Sequence, residues 1–143
     1  MSEPVKIGVV GVGYLGSIHA RIYSQLPNVI LIGVNDVDSE VGQRVADECK
    51  CDFYSNVDQL ADSIDAVSVV VPTSCPREVS LPFLSRGIPV LLEKPVAHTL
   101  DDARLILNEA EQSGAILQLS LIQTSGPRRS VPMMHTWRPC AHK

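Results

Sequence analysis

Three glycines near the amino terminus have the spacing of an anion-binding loop. They are Gly11, Gly13 and Gly16, and they follow the apolar, β-branched run Val5–Val10. A strand that turns into a helix in this way presents backbone N–H groups and the positive end of the helix dipole to a phosphate. The bare pattern also occurs in ordinary strand-to-helix turns, so a further residue is needed to specify the ligand.

Each position of the loop has its own physical task. We expect Gly11 to permit the sharp turn, Gly13 to let a phosphate approach the backbone, and Gly16 to let the helix pack closely. Tyr14 and Leu15 lie between the last two glycines and begin the helix. All five residues are therefore predicted to belong to the cofactor-binding site.

Asp36 is the further residue that the motif requires. It follows the apolar run 29–34 and lies 20 residues after Gly16. At this spacing a carboxylate accepts hydrogen bonds from the adenosine ribose of NAD. The next residues, Val37 and Asp38, offer no arginine for the 2′-phosphate of NADP. The predicted cofactor is therefore NAD, with NADP less favoured.

Strand and helix patterns alternate along most of the chain. Predicted strands cover 5–10, 29–34, 53–54, 65–71, 88–92 and 115–121, and predicted helices cover 14–26, 39–49, 57–61, 77–86 and 100–113. This alternation favours a parallel sheet covered on both faces. Right-handed crossovers then give the strand order 3-2-1-4-5-6 of a doubly wound α/β domain, the Rossmann fold.

Details of two helices carry further expectations. In the first helix, Leu15, Ile18, Ile22 and Leu26 recur at helical spacing and should form its buried face. In the fourth, Pro82 should kink the helix or shift its start.

His19 lies in the first turns of the first helix. We expect a hydrogen-bonded structural histidine there, with an approach to the cofactor as the alternative.

Composition excludes several classes of protein. The chain has 143 residues, 45% of them hydrophobic and 20% charged, and a net charge of −4. That charge gives no support for binding nucleic acid or a membrane surface, and no apolar stretch is long enough to span a bilayer. The amino terminus lacks a signal-peptide pattern, so a cytoplasmic location is the default expectation.

The four cysteines lack zinc or thioredoxin spacing and are predicted to be free thiols.

The last stretch, 123–143, breaks the alternating pattern. It contains three prolines, two histidines and Arg128, Arg129 and Arg138, without an acidic residue. A basic arm for nucleic acid is one interpretation, and a poorly ordered tail is the one that its composition favours. We therefore predict a nucleotide-binding domain over 1–122 and an irregular basic tail over 123–143.

Glu93-Lys94-Pro95 completes a set of motifs that resembles a known family. Together with segments 11–20 and 87–95, it is similar to the nucleotide-binding half of the Gfo/Idh/MocA oxidoreductases over about residues 5–121. The residues of the glycine loop and of Val71-Pro72-Thr73 most resemble those of members that oxidise nucleotide sugars.

The resemblance implies an activity and roles for individual residues. Members use NAD or NADP to move a hydride to or from a hydroxyl-bearing carbon of a sugar or cyclitol. It implies that Lys94 lies near the reacting hydroxyl, and that Pro72, Thr73, Glu93, Lys94 and Pro95 contact the cofactor. Position alone would also allow Lys94 to be a surface lysine before a turn. The implied partner is a small-molecule sugar or nucleotide sugar.

Two departures from the family pattern carry expectations of their own. Pro76 stands where the family commonly has a histidine, and the sixth strand is followed by Gln123 instead of the usual histidine. Family members continue into a second α+β domain, so we expect this chain to be truncated or frameshifted, with little or no turnover. An uncovered apolar edge at Ile116 to Leu121 would favour association between copies, which leaves a homo-oligomer open.

Three functions thus stay open at this point. The first is an NAD-dependent dehydrogenase reduced to its dinucleotide-binding domain. The second is a stand-alone dinucleotide-binding or sensing module without catalysis. The third is a parallel α/β domain for another nucleotide, such as S-adenosylmethionine. Lys94 favours the first, and the glycine loop with Asp36 disfavours the third.

Overall fold

A computed structural model describes residues 2–71, 76–94 and 96–120 of the protein. Their backbone alternates between strand and helix. The strands are β1 (Val5–Val10), β2 (Val29–Asn35), β3 (Asp52–Phe53), β4 (Ala66–Val69), β5 (Val90–Leu92) and β6 (Leu117–Leu119). The helices are α1 (Tyr14–Gln25), α2 (Ser39–Cys49), α3 (Val57–Ala61), α4 (Pro76–Leu84) and α5 (Leu100–Ser113).

The six strands form one parallel sheet. Its order is β3-β2-β1-β4-β5-β6, as the sequence predicts. The order reverses between β1 and β4, and in a doubly wound sheet this point opens a crevice beyond the carboxyl ends of the strands. Backbone hydrogen bonds join the strand ends at this point. The N–H of Gly11 donates to the carbonyl of Asn35, and the N–H of Val70 donates to the carbonyl of Val10.

Helices cover both faces of the sheet. Val9 and Val10 are neighbours on β1, and their side chains belong to different buried clusters. One cluster includes Ala20 of α1 and Ala46 of α2. The other is formed with α3, α4 and α5 and includes Leu60, Phe83, Leu84 and Ile106. Both faces of a strand are therefore withdrawn from water, which explains its continuous apolar sequence.

Side-chain caps fix the starts of two helices. Asp38 precedes α2, and its carboxylate accepts from the backbone N–H groups of Glu40 and Val41. The Thr99 hydroxyl accepts from the N–H of Asp102 at the start of α5. Aspartate and threonine are both side chains that this position of a helix favours. They satisfy donors that have no partner within the helix.

The predicted buried face of α1 is wrong in part. Ile22 and Leu26 are 51% and 43% exposed, whereas Gly16 and Ala20 are buried. The helix is held close to the sheet by its small residues, so its larger apolar side chains at the far end lie outside the contact.

Several predicted element bounds also shift. The strands β4, β5 and β6 are shorter than predicted. The third strand is one residue earlier, at Asp52–Phe53. Helix α4 begins at Pro76 and continues through Pro82, so this proline does not delay its start.

The two described cysteines lie at the end of α2 and just after it. Cys49 is buried, Cys51 is partly buried, and both are free. Burial raises the pKa of both thiols, and for Cys51 to about 12. These thiols are therefore protonated at neutral pH. Cys75 and Cys140 lie outside the described residues.

Within the described part of the chain, no helix combines the length and apolar character needed to cross a membrane. The predicted tail 123–143 lies outside it. At the edge of the sheet, Ile116 is 65% exposed and Leu117 and Leu119 of β6 are partly buried.

Candidate dinucleotide-binding site

A cavity of about 620 Å³ opens at the carboxyl ends of the central strands. Residues that directly follow β1, β2, β4 and β5 line it, together with the first turn of α1. Eight of the predicted site residues are among them, namely Gly11, Gly13, Tyr14, Leu15, Gly16, Asp36, Glu93 and Lys94. The volume is in the range of small-molecule sites, typically about 300–1,000 Å³.

Gly11 and Gly16 are required by the fold of the loop. Gly11 has a φ of +82°, and a Cβ there would lie 2.2 Å from the carbonyl oxygen of Val70. A Cβ on Gly16 would lie 1.7 Å from the carbonyl oxygen of Gly11. Neither contact is sterically tolerable against backbone atoms. The two glycines therefore allow α1 to begin directly against the ends of β1 and β4.

Gly13 is different, because the fold makes no such demand on it. Its φ of −65° lies outside the left-handed region, and a Cβ there would meet nothing within 4 Å. The residue is exposed and lines the cavity at the N-cap of α1. A side chain at this position would occupy the space in front of the helix N-terminus, where anions bind.

Asp36 joins the end of β2 to the glycine loop. Its Oδ2 accepts from the backbone N–H of Val12 over 2.8 Å, and its Oδ1 accepts from the N–H of Asp38 over 2.9 Å. Each carboxylate oxygen has a second lone-pair direction. The side chain is thus fixed in place and still has acceptor capacity for hydroxyl groups in the cavity.

Glu93 and Lys94 follow β5 at the other end of the cavity. The Lys94 residue is exposed, and Glu93 is only 8% exposed. The N–H of Glu93 donates to the carbonyl of Val69, which fixes this backbone beside β4. The sheet therefore places a carboxylate at both ends of one cavity, with Lys94 beside the second.

His19 lies against Glu93, a pairing that sequence spacing does not reveal. Its Nε2 is 3.1 Å from Oε1 of Glu93, although the alignment is not that of a hydrogen bond. The imidazole also contacts the ring of Tyr23 edge-on, with centroids 6.3 Å apart. His19 on α1 therefore lies against the end of β5. The hydrogen bond that the sequence led us to expect for this histidine is not made with Glu93.

Valines form apolar walls that the sequence analysis did not assign to the site. Val37, Val41, Val71 and Val79 line the cavity from the β2 end, α2, the β4 end and α4. Val37 directly follows Asp36, and this adjacency is a signal that sequence position could have supplied. Pro72, Thr73 and Pro95 lie outside the described residues.

These residues fit a dinucleotide. The open space at Gly13 suits a pyrophosphate, and Asp36 suits a ribose. Apolar walls beside Asp36 suit a flat base. Among the described residues, no group of three or more histidine, cysteine or acidic side chains could hold a metal ion.

Fold and cavity together define an NAD-binding α/β domain of the Rossmann type. The model of the Gfo/Idh/MocA oxidoreductase family, described as having an NAD-binding Rossmann fold, matches residues 5–121. The chain belongs to this family.

Relatives agree with this assignment. UDP-N-acetylglucosamine 3-dehydrogenase of Acidithiobacillus ferrooxidans is 33% identical over 123 residues, which are 86% of this chain and 39% of that protein. Glucose-6-phosphate 3-dehydrogenase of Bacillus subtilis is 32% identical, covering 75% of this chain and 31% of the relative. The crystal structure of GenD2 from gentamicin A biosynthesis, in complex with NAD, superposes with a TM-score of 0.77. It is 28% identical, and the match covers 83% of this chain and 35% of that one.

The chain therefore spans less than half the length of these relatives. The part that it shares with them is the nucleotide-binding domain at their amino-terminal end.

Proposed function

We propose that the protein binds NAD in this cavity and takes part in oxidising a hydroxyl-bearing carbon of a sugar or nucleotide sugar. The main observation that supports this proposal is the geometry at Gly13. Its φ lies outside the left-handed region and its missing side chain leaves space that the fold does not use, which supports a role for this glycine in binding a ligand. An ordinary strand-to-helix turn would not need that space.

The loop and Asp36 account for binding of the cofactor. The N–H groups at the start of α1 would hold the pyrophosphate, with the favourable helix dipole behind them. The Asp36 carboxylate would accept hydrogen bonds from the hydroxyl groups of the adenosine ribose, since the N–H groups of Val12 and Asp38 fix its position. A 2′-phosphate would instead face this negative charge, which favours NAD over NADP. When bound, NAD supplies a hydride acceptor.

Lys94 accounts for the proposed chemistry. It directly follows β5 at the edge of the sheet where ligands of doubly wound domains bind, and it lines the cavity. An ammonium group there can hydrogen-bond a substrate hydroxyl and stabilise the negative charge that develops on its oxygen. The names of the two curated relatives favour a sugar phosphate or a nucleotide sugar as substrate class.

A turnover assay with matched lysine variants tests the proposal. The purified protein receives NAD and a panel of nucleotide sugars, sugar phosphates and cyclitols, and formation of NADH is followed by absorbance. The variants are Lys94→Ala and, as the control, Lys6→Ala, an exposed lysine on β1. We expect turnover to be barely detectable at most, and any turnover present should be abolished by Lys94→Ala and preserved by Lys6→Ala.

The other outcomes separate the candidates. Undiminished turnover in Lys94→Ala would remove the proposed role of this lysine. Tight NAD binding without turnover of any substrate would favour the second candidate, a dinucleotide-binding or sensing module. Absence of NAD binding would contradict the proposal as a whole.

A further inference from the structure

Glu93 is a buried carboxylate with an unsatisfied oxygen. Its residue is 8% exposed, and Oε1 has no hydrogen-bond partner within the described structure. A buried charge of this kind costs free energy unless another charge or a ligand compensates it. The side chain lines the cavity, so a cationic ligand there would provide compensation.

The sheet topology determines which part of a dinucleotide would lie beside Glu93. Asp36 follows β2 and Glu93 follows β5, with β1 and β4 between them. Adjacent strands are about 4.8 Å apart, so the two carboxylates lie at opposite ends of the crevice. With the pyrophosphate at Gly13 and the adenosine ribose at Asp36, the nicotinamide half extends towards Glu93.

The two redox forms of the cofactor differ in charge at that end. The nicotinamide ring is cationic in NAD⁺ and neutral in NADH. A nearby carboxylate therefore attracts the oxidised ring and has no such effect on the reduced one. Any contribution from the adenosine and pyrophosphate groups is the same for both forms, so it cancels in the ratio of their Kd values.

His19 is the titratable side chain that lies against Glu93. Its Nε2 lies 3.1 Å from Oε1 of Glu93, and its side chain is 15% exposed. Tyr23 contacts the imidazole edge, and the Tyr23 hydroxyl shares a 2.6 Å hydrogen bond with Ser68 on β4. The pair carries one negative charge when His19 is neutral, and none when it is protonated. Histidine is the side chain that changes charge in the neutral range.

We propose that the His19–Glu93 pair determines whether the site prefers NAD⁺ or NADH. This inference rests on the proposed function, because it requires that the cavity bind the dinucleotide. The neutral imidazole leaves the Glu93 charge available to the oxidised ring. Protonation of His19 cancels that charge and lowers the preference. His19 is thus a positioning and charge-setting residue that acts through Glu93.

Other titratable groups lie around the pair. Tyr14, Asp36 and Lys94 line the same cavity. Two further pairs lie on the elements packed nearby, Arg21 with Glu48 between α1 and α2, and Arg77 with Asp102 between α4 and α5. All of these groups are kept when only His19 is substituted, so the comparison between variants isolates the imidazole.

The test measures the Kd of NAD⁺ and of NADH by calorimetry at about pH 8 and about pH 6, where histidine changes charge. In the unmodified protein, the ratio of the NADH Kd to the NAD⁺ Kd should fall about tenfold between the two conditions. His19→Gln keeps a donor near the position of Nε2 but does not titrate, so its ratio should be the same at both. Glu93→Gln should have a low ratio at about pH 8, no higher than that of the unmodified protein at about pH 6. His98→Gln, at an exposed histidine, should behave as the unmodified protein.

Several results would overturn the inference. A pH-independent ratio in the unmodified protein would do so without any variant. So would a pH response that persists in His19→Gln or disappears in His98→Gln, or an unchanged ratio in Glu93→Gln. In these cases NAD⁺ still binds and the proposed function stands. If neither form binds, the proposed function fails, and the inference fails with it.

Discussion

The backbone N–H of Val12 donates to the carboxylate of Asp36 over 2.8 Å. This bond joins the glycine loop to the end of β2, 24 residues further along the chain. A second bond from the N–H of Asp38 holds the other oxygen. Asp36 is therefore a structural residue of the site as well as its proposed ribose acceptor, and a variant must separate the two roles.

Asp36→Asn removes the charge and keeps one of these two backbone bonds. The amide oxygen can still accept from Val12, but the negative charge and one acceptor are lost. We expect NAD affinity to fall about tenfold, because hydrogen bonds to a charged group contribute about 1.5–3 kcal/mol. The disadvantage of NADP should shrink, because its 2′-phosphate no longer faces a carboxylate. Calorimetric titration with both cofactors measures the change.

Asp38→Asn is the matched control for this substitution. It also removes one carboxylate, but asparagine caps helices as well as aspartate does, so α2 should be kept. Its cofactor preference should equal that of the unmodified protein. Tighter binding of NADP than NAD by the unmodified protein would refute the assigned role of Asp36.

Gly16→Ala should destabilise the protein strongly. The added Cβ would lie 1.7 Å from the carbonyl oxygen of Gly11, so α1 must move away from the loop. We expect a loss of about 3 kcal/mol in the free energy of unfolding, at the upper end of the usual cost of overpacking. Urea unfolding followed by circular dichroism measures it. Gly114→Ala is unsuitable as a control, because Gly114 has a φ of +72°.

Gly13→Ala is the suitable control, since its Cβ would enter open space and its φ is negative. Its unfolding should differ from that of the unmodified protein by less than about 1 kcal/mol. Equal stability losses at positions 13 and 16 would contradict the distinction between a glycine that the fold needs and one that a ligand needs.

The topology of the sheet could be predicted because local signals agree with one another along the chain. β-Branched runs, glycine and proline breaks, and caps such as Asp38 and Thr99 each mark the same alternating elements. The proximity of the glycine loop and Asp36 could be predicted from spacing alone, because they follow neighbouring strands whose ends meet in space.

Other features depend on tertiary contacts that have no local signature. His19 and Glu93 are 74 residues apart, and only the packing of α1 against the end of β5 brings them together. The buried face of α1 depends on where the helix touches the sheet, so Ile22 and Leu26 were wrongly assigned to it. The predicted roles of Pro72, Thr73 and Pro95, and the predicted boundary at residue 122, stay predictions.

The free energy of unfolding should fall at alkaline pH because of Cys51. Burial, with Cys49 and Asp52 nearby, raises the pKa of its thiol from 9.0 to about 12. The folded state therefore holds this proton more tightly than the unfolded state. The stabilisation is fully present below pH 9.0 and is lost as the pH rises towards about 12.

Cys51→Ala should make that decline less steep. Urea unfolding of both proteins at a series of pH values between the two limits gives the comparison. The difference in slope isolates Cys51, since the other titrating groups are common to both. Parallel curves would show that the buried thiol does not contribute to the alkaline loss.

Titration with NAD of the unmodified protein and of Gly13→Val tests the central claim most directly, namely that the space in front of Gly13 is a binding place for the pyrophosphate. Circular dichroism and urea unfolding establish first that the variant is folded, as the open space around this position predicts. We predict saturable, stoichiometric binding of NAD to the unmodified protein and loss of measurable binding in folded Gly13→Val, because the larger side chain fills the space in front of the helix N-terminus. Unchanged NAD affinity in the folded variant, or no binding by the unmodified protein, would contradict the account.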